Sequence, residues 1–378
     1  MREVPRTAIY CFMFIAVGLI SGVLGPSLIY LSNLVSASVT EISIIFIARS
    51  VGNMLGAVIA GRVYDKAKEA HYYLIAMLLL GSLCVSIAPF STTLMMLMVV
   101  FAVMGFAEVS VNTGGNLMIL WLHKDKAGSA VSLLHLCYSL GNMISPLVLI
   151  FGGWLGDSYG VGYWIIALYT LIFPFFLWRQ PSPKLATTTK QDIPKLFNRA
   201  FFLCFVLTIF LYVSLEITIA GWISTYAILN GTDQTQAAML VTWFFVSLSL
   251  GRFISVPALR WVSLTHSIFA LLFISVIGIL ILLFSSLSMI GVALILGLGC
   301  SALFPILFSF ANNVMPLTGK LTGYVFMGCG LGAMIVPAIT GPLIDVLGAT
   351  VYPIILLGMI ILLSGSWANL LRLSKKTL

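Results

Sequence analysis

Glu108 and Glu216 lie inside long apolar runs, and Glu108 heads the stretch that continues through Asn112, Gly114 and Gly115 to Asn116. A carboxylate at bilayer depth costs roughly 2.5 to 3.5 kcal/mol on insertion scales, so one retained there is expected to hold a substrate or a coupling ion. On a helix Glu108, Asn112 and Asn116 fall at i, i+4 and i+8 and form a polar ladder on one face. Asparagine both donates and accepts hydrogen bonds, as a sugar hydroxyl requires. Gly114 and Gly115 are expected to leave room for a ring or a helix break. The same asparagines would also serve as ties between membrane helices.

Arg49 is the natural partner for Glu108. It lies eight residues inside Glu41, about 12 Å at the helical rise. Glu108 lies 13 residues above Trp121, about 20 Å by the same rise. In a hydrocarbon core about 30 Å thick, the two come within roughly 2 Å of one level. Glu108 is then either a proton carrier or a permanently charged partner of Arg49, and sequence leaves both open.

Glu216 sits at a comparable level in another run, with Tyr212 one turn earlier as a hydroxyl partner. Trp222 and Tyr226 follow at i, i+4 spacing, where an aromatic plane could pack on the apolar face of a sugar. Arg252 lies about 12 Å from the inner face and can snorkel toward it, which suits a gate or structural role better than substrate contact. His135 would donate to a hydroxyl, relay protons or tie two helices. Asp157 and Asp345 read as loop caps or outer-gate contacts.

The elements that must position these residues are membrane helices. Hydrophobic residues make up 61% of the chain and charged residues 8%, which excludes a soluble domain. Apolar runs of about 20 residues give twelve spans, near 8–31, 40–62, 71–89, 93–121, 127–150, 160–178, 200–229, 236–259, 265–285, 288–314, 320–343 and 348–371. The first is read as a retained helix rather than a signal peptide. Apart from Arg49 and Arg252, every one of the 19 Lys and Arg falls in the terminal tails or in alternate loops, and the other loops carry acids. The positive-inside rule then places both termini in the cytoplasm of a multi-pass protein of the inner or plasma membrane.

The net charge of +8 is spread over short loops facing an anionic leaflet, so lipid rather than nucleic acid accounts for it. The six cysteines fall in spans without metal-ligand spacing, so neither disulfides nor zinc is expected.

The polar connector 179–199 divides the chain into an N-terminal six-helix bundle, 1–178, and a C-terminal one, 200–378. The halves echo each other. Gly52 in span two answers to Gly251 in span eight, and the stretch Gly153 to Gly160 answers to Gly341 to Gly348, with Pro146 and Pro337 just before them.

These features resemble the major facilitator superfamily, and the resemblance covers the whole chain. Its best local marker is the run Gly52, Gly56, Gly61, Arg62, Asp65 and Lys66, similar to the family's glycine-rich signature that ends the second helix and enters the loop before the third. Glycines at that spacing let helices approach closely, and Asp65 would bind a helix N-terminus or a base in one conformation only. A finer resemblance, to the branch of the fucose permease and the sodium-dependent glucose transporters, rests on four places in the sequence. They are Leu24 to Ser27, Asn112 to Asn116 with Leu120 to Leu122, Leu134 to Leu136 leading to Gly141 and Pro146, and Tyr212 to Tyr226. The fucose permease has an acidic residue in its first helix, whereas this chain has Ser21, Ser27 and Asn33 there.

No nucleotide-binding loop, zinc-protease motif or nucleophile elbow occurs. The expectation is therefore an all-α membrane protein of twelve helices in two pseudo-symmetric bundles, not an enzyme. It would act as a monomeric secondary transporter importing a small polar solute, a monosaccharide such as a hexose, by alternating access. Its cavity would be lined by Glu108, Asn112, Asn116, Glu216 and Trp222. No resident cofactor is expected beyond a proton or sodium as coupling ion. The alternatives are an organic-anion, siderophore or drug carrier using Arg49 and Arg252, and a non-transporting sensor on the same fold.

Overall fold

The computed structural model describes residues 3–66, 69–123, 127–156, 158–183, 198–258, 261–284, 288–315 and 319–375. Asp157 and most of the connector lie outside them. The described residues form helices joined by short turns: α1 (Glu3–Gly22), α2 (Leu24–Leu34), α3 (Val39–Lys66), α4 (Ala70–Ile87), α5 (Leu94–His123), α6 (Ala127–Gly156), α7 (Gly160–Trp178), α8 (Arg199–Leu229), α9 (Gln234–Ala258), α10 (Leu264–Phe284), α11 (Met289–Cys300), α12 (Leu303–Val314), α13 (Gly319–Leu347) and α14 (Val351–Ser374).

Among the described residues eleven helical spans are long and apolar enough to cross a membrane, with α11 and α12 together making one. The pair Arg6–Gly22 and Leu24–Leu34, bent by 47°, makes a twelfth if read as one span.

Local chemistry sets the ends of these helices. Ser38 and Glu41 form a reciprocal capping box at the start of α3: Ser38 N donates to Glu41 Oε2 at 2.7 Å, and Glu41 N donates to Ser38 Oγ at 3.2 Å. Asn198 Oδ1 accepts from Phe201 N at 3.1 Å and caps α8. The turns after α8 and α13 are closed by Gly231 (φ 87°) and Gly348 (φ 82°), where a side chain would be strained.

Two compact units emerge, one of Met1–Thr187 with Gln234–Thr242 and the other of Thr188–Asp233 with Trp243–Leu378. In the first unit α3 packs on α5, α1 on α6 and α4 on α7. Its core includes Phe14, Tyr64, Leu74, Met118 and Leu134, all buried. In the second, α8 packs on α13 and α14, and α10 on α11.

The closest approach in the first unit follows from glycine. A Cβ on Gly52 would overlap the Ala102 carbonyl oxygen, so only hydrogen fits between α3 and α5 there. Gly56 is similarly pressed against Phe106 and Val109. Gly61 differs, because a Cβ there would meet nothing within 4 Å. The expectation that all three glycines seat a neighbouring helix therefore holds for two of them. Gly61 lies past the point where α5 crosses closely. Arg62 is exposed, and the side chains of Asp65 and Lys66 lie outside the described set.

Candidate functional site

In the first unit the α3–α5 contact brings Arg49 to Glu108. The Nη2 to Oε2 distance is 2.6 Å, with the side chains only 12% and 9% exposed. Burial at this level leaves neither charge well hydrated, so each depends on the other. Arg49 makes a second contact, donating from Nη1 to the Ser21 backbone oxygen at 3.0 Å. That oxygen lies just before the bend between α1 and α2. Tyr138 on α6 donates to Ser21 Oγ at 2.7 Å, so the bend is held from two further helices.

Among the described residues Arg49 Nε and Asn53 Oδ1 are buried and have no hydrogen-bond partner. They lie one turn apart on α3 and share a face. One is an unused donor and the other an unused acceptor, and both are sealed from solvent, Asn53 Oδ1 against α5 at Gly105. Asn53 was not singled out by sequence reasoning. Its position four residues after Arg49 was the available signal.

The ladder below Glu108 is partly closed on itself. Asn116 Nδ2 donates both to Asn112 O and to Asn112 Oδ1, each at 2.9 Å. Gly114 and Gly115 leave no empty ring-sized space, because Tyr64 and Phe14 occupy it: a Cβ on either glycine would overlap those aromatic side chains. Helix α5 runs unbroken through both glycines. Tyr64 is held there by its hydroxyl, which donates to Ser110 O at 3.1 Å. His135 is exposed on α6, its ring at 87° to that of Phe14 with centroids 6.4 Å apart.

In the second unit Arg252 Nη2 lies 3.6 Å from Glu216 Oε1, with the side chains 35% and 16% exposed. Arg252 Nε donates to the Ser301 backbone oxygen at 2.9 Å. Arg252 is thus tied to Glu216, a pairing the sequence reading did not draw. Tyr212 is buried and donates to Cys300 O at 3.1 Å.

Trp222 is 0% exposed and donates from Nε1 to Pro337 O at 3.0 Å. It cannot present its ring to a solute in this arrangement, and the expectation that it stacks on a sugar gives way to a packing role. Tyr226 packs on Tyr352, ring centroids 5.0 Å apart. Trp222→Phe is accordingly expected to lower stability by about 1 kcal/mol, the worth of one hydrogen bond, and to leave KM unchanged. Thermal unfolding and uptake kinetics would check it, and a raised KM would restore Trp222 to the site.

A bundle of apolar helices in which arginine–carboxylate pairs are held at depth is the architecture of a polytopic membrane transporter. The profile of the Major Facilitator Superfamily matches residues 10–337, and the chain belongs to that family. It is similar to sodium-dependent glucose transporter 1 of Xenopus laevis, at 29% identity over 362 residues, covering 84% of this chain and 72% of that protein. Sodium-dependent glucose transporter 1A of Mus musculus is 24% identical, with 87% of each chain covered. Among solved structures the nucleoside transporter NupG has a TM-score of 0.75 at 15% identity, covering 96% of this chain and 98% of that one. FucP in the outward conformation has a TM-score of 0.63 at 17% identity, covering 97% and 99%. At these identities the solved structures establish the fold alone. The chain is a multi-pass membrane protein of a transporter family.

Proposed function

We propose that this protein imports a monosaccharide by alternating access, driven by a proton or sodium gradient. In this reading its spans number twelve in two six-helix bundles, it works as a monomer in the inner or plasma membrane with both termini cytoplasmic, and it needs no resident cofactor. The observation that carries the proposal is the buried Arg49–Glu108 pair beside the unused donor Arg49 Nε and the unused acceptor Asn53 Oδ1. A proton or sodium ion on Glu108 would compete with the guanidinium, and in this reading a sugar hydroxyl meets the two unused atoms, sealed here as Trp222 is, once α3 and α5 part. Similarity to sodium-dependent glucose transporters supports the solute class and the use of a cation. The organic-anion alternative is disfavoured because Arg49 and Arg252, the two guanidiniums it would use, each already face a carboxylate.

Uptake into proteoliposomes tests this, using a panel of hexoses and organic acids under imposed pH or sodium gradients. A hexose is expected to accumulate and to stop when the gradient collapses. Accumulation of organic acids without hexoses, or uptake indifferent to both gradients, would sink the reading. Asn53→Ala is expected to raise the apparent KM for that hexose about five- to ten-fold, one hydrogen bond's worth. An unchanged KM would remove Asn53 from the site.

A further inference from the structure

Both arginines make the same pair of contacts, one to a carboxylate and one to a backbone carbonyl at a helix break. The breaks have a common cause. Proline has no N–H to give to the carbonyl four residues earlier, and its ring crowds that carbonyl. Pro26 therefore leaves the Gly22 carbonyl without its helical donor, and α1 ends at Gly22 with a 47° bend into α2. Arg49 Nη1 donates to Ser21 O, the carbonyl immediately before. Pro305 leaves the Ser301 carbonyl without its donor, and α11 ends at Cys300 before α12 begins at Leu303. Arg252 Nε donates to that very carbonyl.

In the order of spans read from the sequence, α3 and α9 are the second of each half, α1–α2 and α8 the first, and α5 and α11–α12 the fourth. In the first unit the first span supplies the carbonyl and the fourth the carboxylate. In the second unit the first supplies the carboxylate, Glu216, and the fourth the carbonyl. The arginine keeps its place while its two partners trade helices. A guanidinium suits this task because its fork of N–H groups can serve two acceptors at once.

We propose that Arg49 and Arg252 are positioning residues that tie the charge state of Glu108 and Glu216 to the two proline-made helix breaks. While the carboxylate is charged and free, it holds the guanidinium on the break carbonyl. A cation or solute that takes the carboxylate loosens that hold, and the span becomes free to change its bend. This deepens the transport reading, on which its functional meaning rests, by naming how an ion at the carboxylate would reach the helices that must move.

The test is amide hydrogen exchange of the full-length protein in nanodiscs, read by mass spectrometry. Arg49→Gln and Glu108→Gln are each expected to speed exchange around residues 22–27 at least ten-fold while leaving α14 unchanged. Arg252→Gln and Glu216→Gln are expected to do the same around 301–306. Pro305→Ala restores an N–H for Ser301 O, so it is expected to return protection to the Arg252→Gln protein. Should Arg49→Gln not fold, Arg49→Lys, which keeps the charge but not the fork, is expected to loosen residues 22–27 alone. Exchange within two-fold of the parent at both breaks, a uniform rise over all helices, or failure of Pro305→Ala to rescue would each overturn the proposal. The exchange measurement requires no substrate. Local loosening in a protein that shows no hexose flux would therefore sink the transport reading and not this one, and flux without local loosening would do the reverse.

Discussion

Glu108→Gln is expected to abolish gradient-driven accumulation while sparing part of the counterflow exchange, and Arg49→Ala is expected to cost about 3 to 5 kcal/mol of stability. Both follow from one contact. The pair is 2.6 Å apart and nearly sealed from water, so removing Arg49 leaves a buried carboxylate with no countercharge. Removing only the negative charge, as Gln does, leaves a side chain of the same shape that no longer binds a proton or sodium ion. Exchange of solute for solute needs no net ion movement, so it survives where accumulation fails.

The double variant Arg49→Met, Glu108→Leu is expected to recover most of the stability lost by Arg49→Ala, because replacing a whole buried pair with apolar groups is often neutral. It should not recover transport. Thermal unfolding of purified protein, with accumulation and counterflow in proteoliposomes, separates the two effects. If accumulation persists unchanged in Glu108→Gln, that carboxylate is not the coupling group. If Arg49→Ala unfolds at the parent temperature, the pair does not hold the fold together.

Gly52→Leu is the second large effect. The smallest side chain already overlaps the Ala102 carbonyl oxygen, and backbone cannot swing aside as a flexible side chain does. Overpacking costs about 1 to 3 kcal/mol in ordinary cores and more where nothing yields, so this variant is expected at or above the top of that range. Because α3 carries Arg49 and α5 carries Glu108, any separation of the helices also pulls the charged pair apart. Gly61→Leu, nine residues along the same helix, meets open space and is expected to stay within about 0.5 kcal/mol of the parent. Yield of monodisperse protein and unfolding temperature would report both. Equal behaviour of the two variants would refute the glycine seam.

Much of the site was legible because depth in a membrane follows from counting. The helical rise and the thickness of the hydrocarbon core put Arg49 and Glu108 at one level before any contact was known, and the contact exists. Periodicity also placed Glu108, Asn112 and Asn116 on one face. It could not say what that face meets. Asn116 turns back on Asn112, Tyr64 and Phe14 fill the room beside Gly114 and Gly115, and Trp222 spends its polar edge on Pro337. Each outcome depends on a neighbouring helix, and helix-to-helix pairing is not written in the spacing along one helix.

From its sequence alone this protein declares its solvent, its many apolar helices and the rarity of its buried charges, because insertion into hydrocarbon tests each residue locally and additively. Tertiary structure alone decided that Arg252 answers Glu216, that both arginines also reach the carbonyls of two helix breaks, and that one glycine of the signature is free while another admits no carbon atom. Those are properties of surfaces brought together from distant parts of the chain, where a shift of an ångström changes the partner.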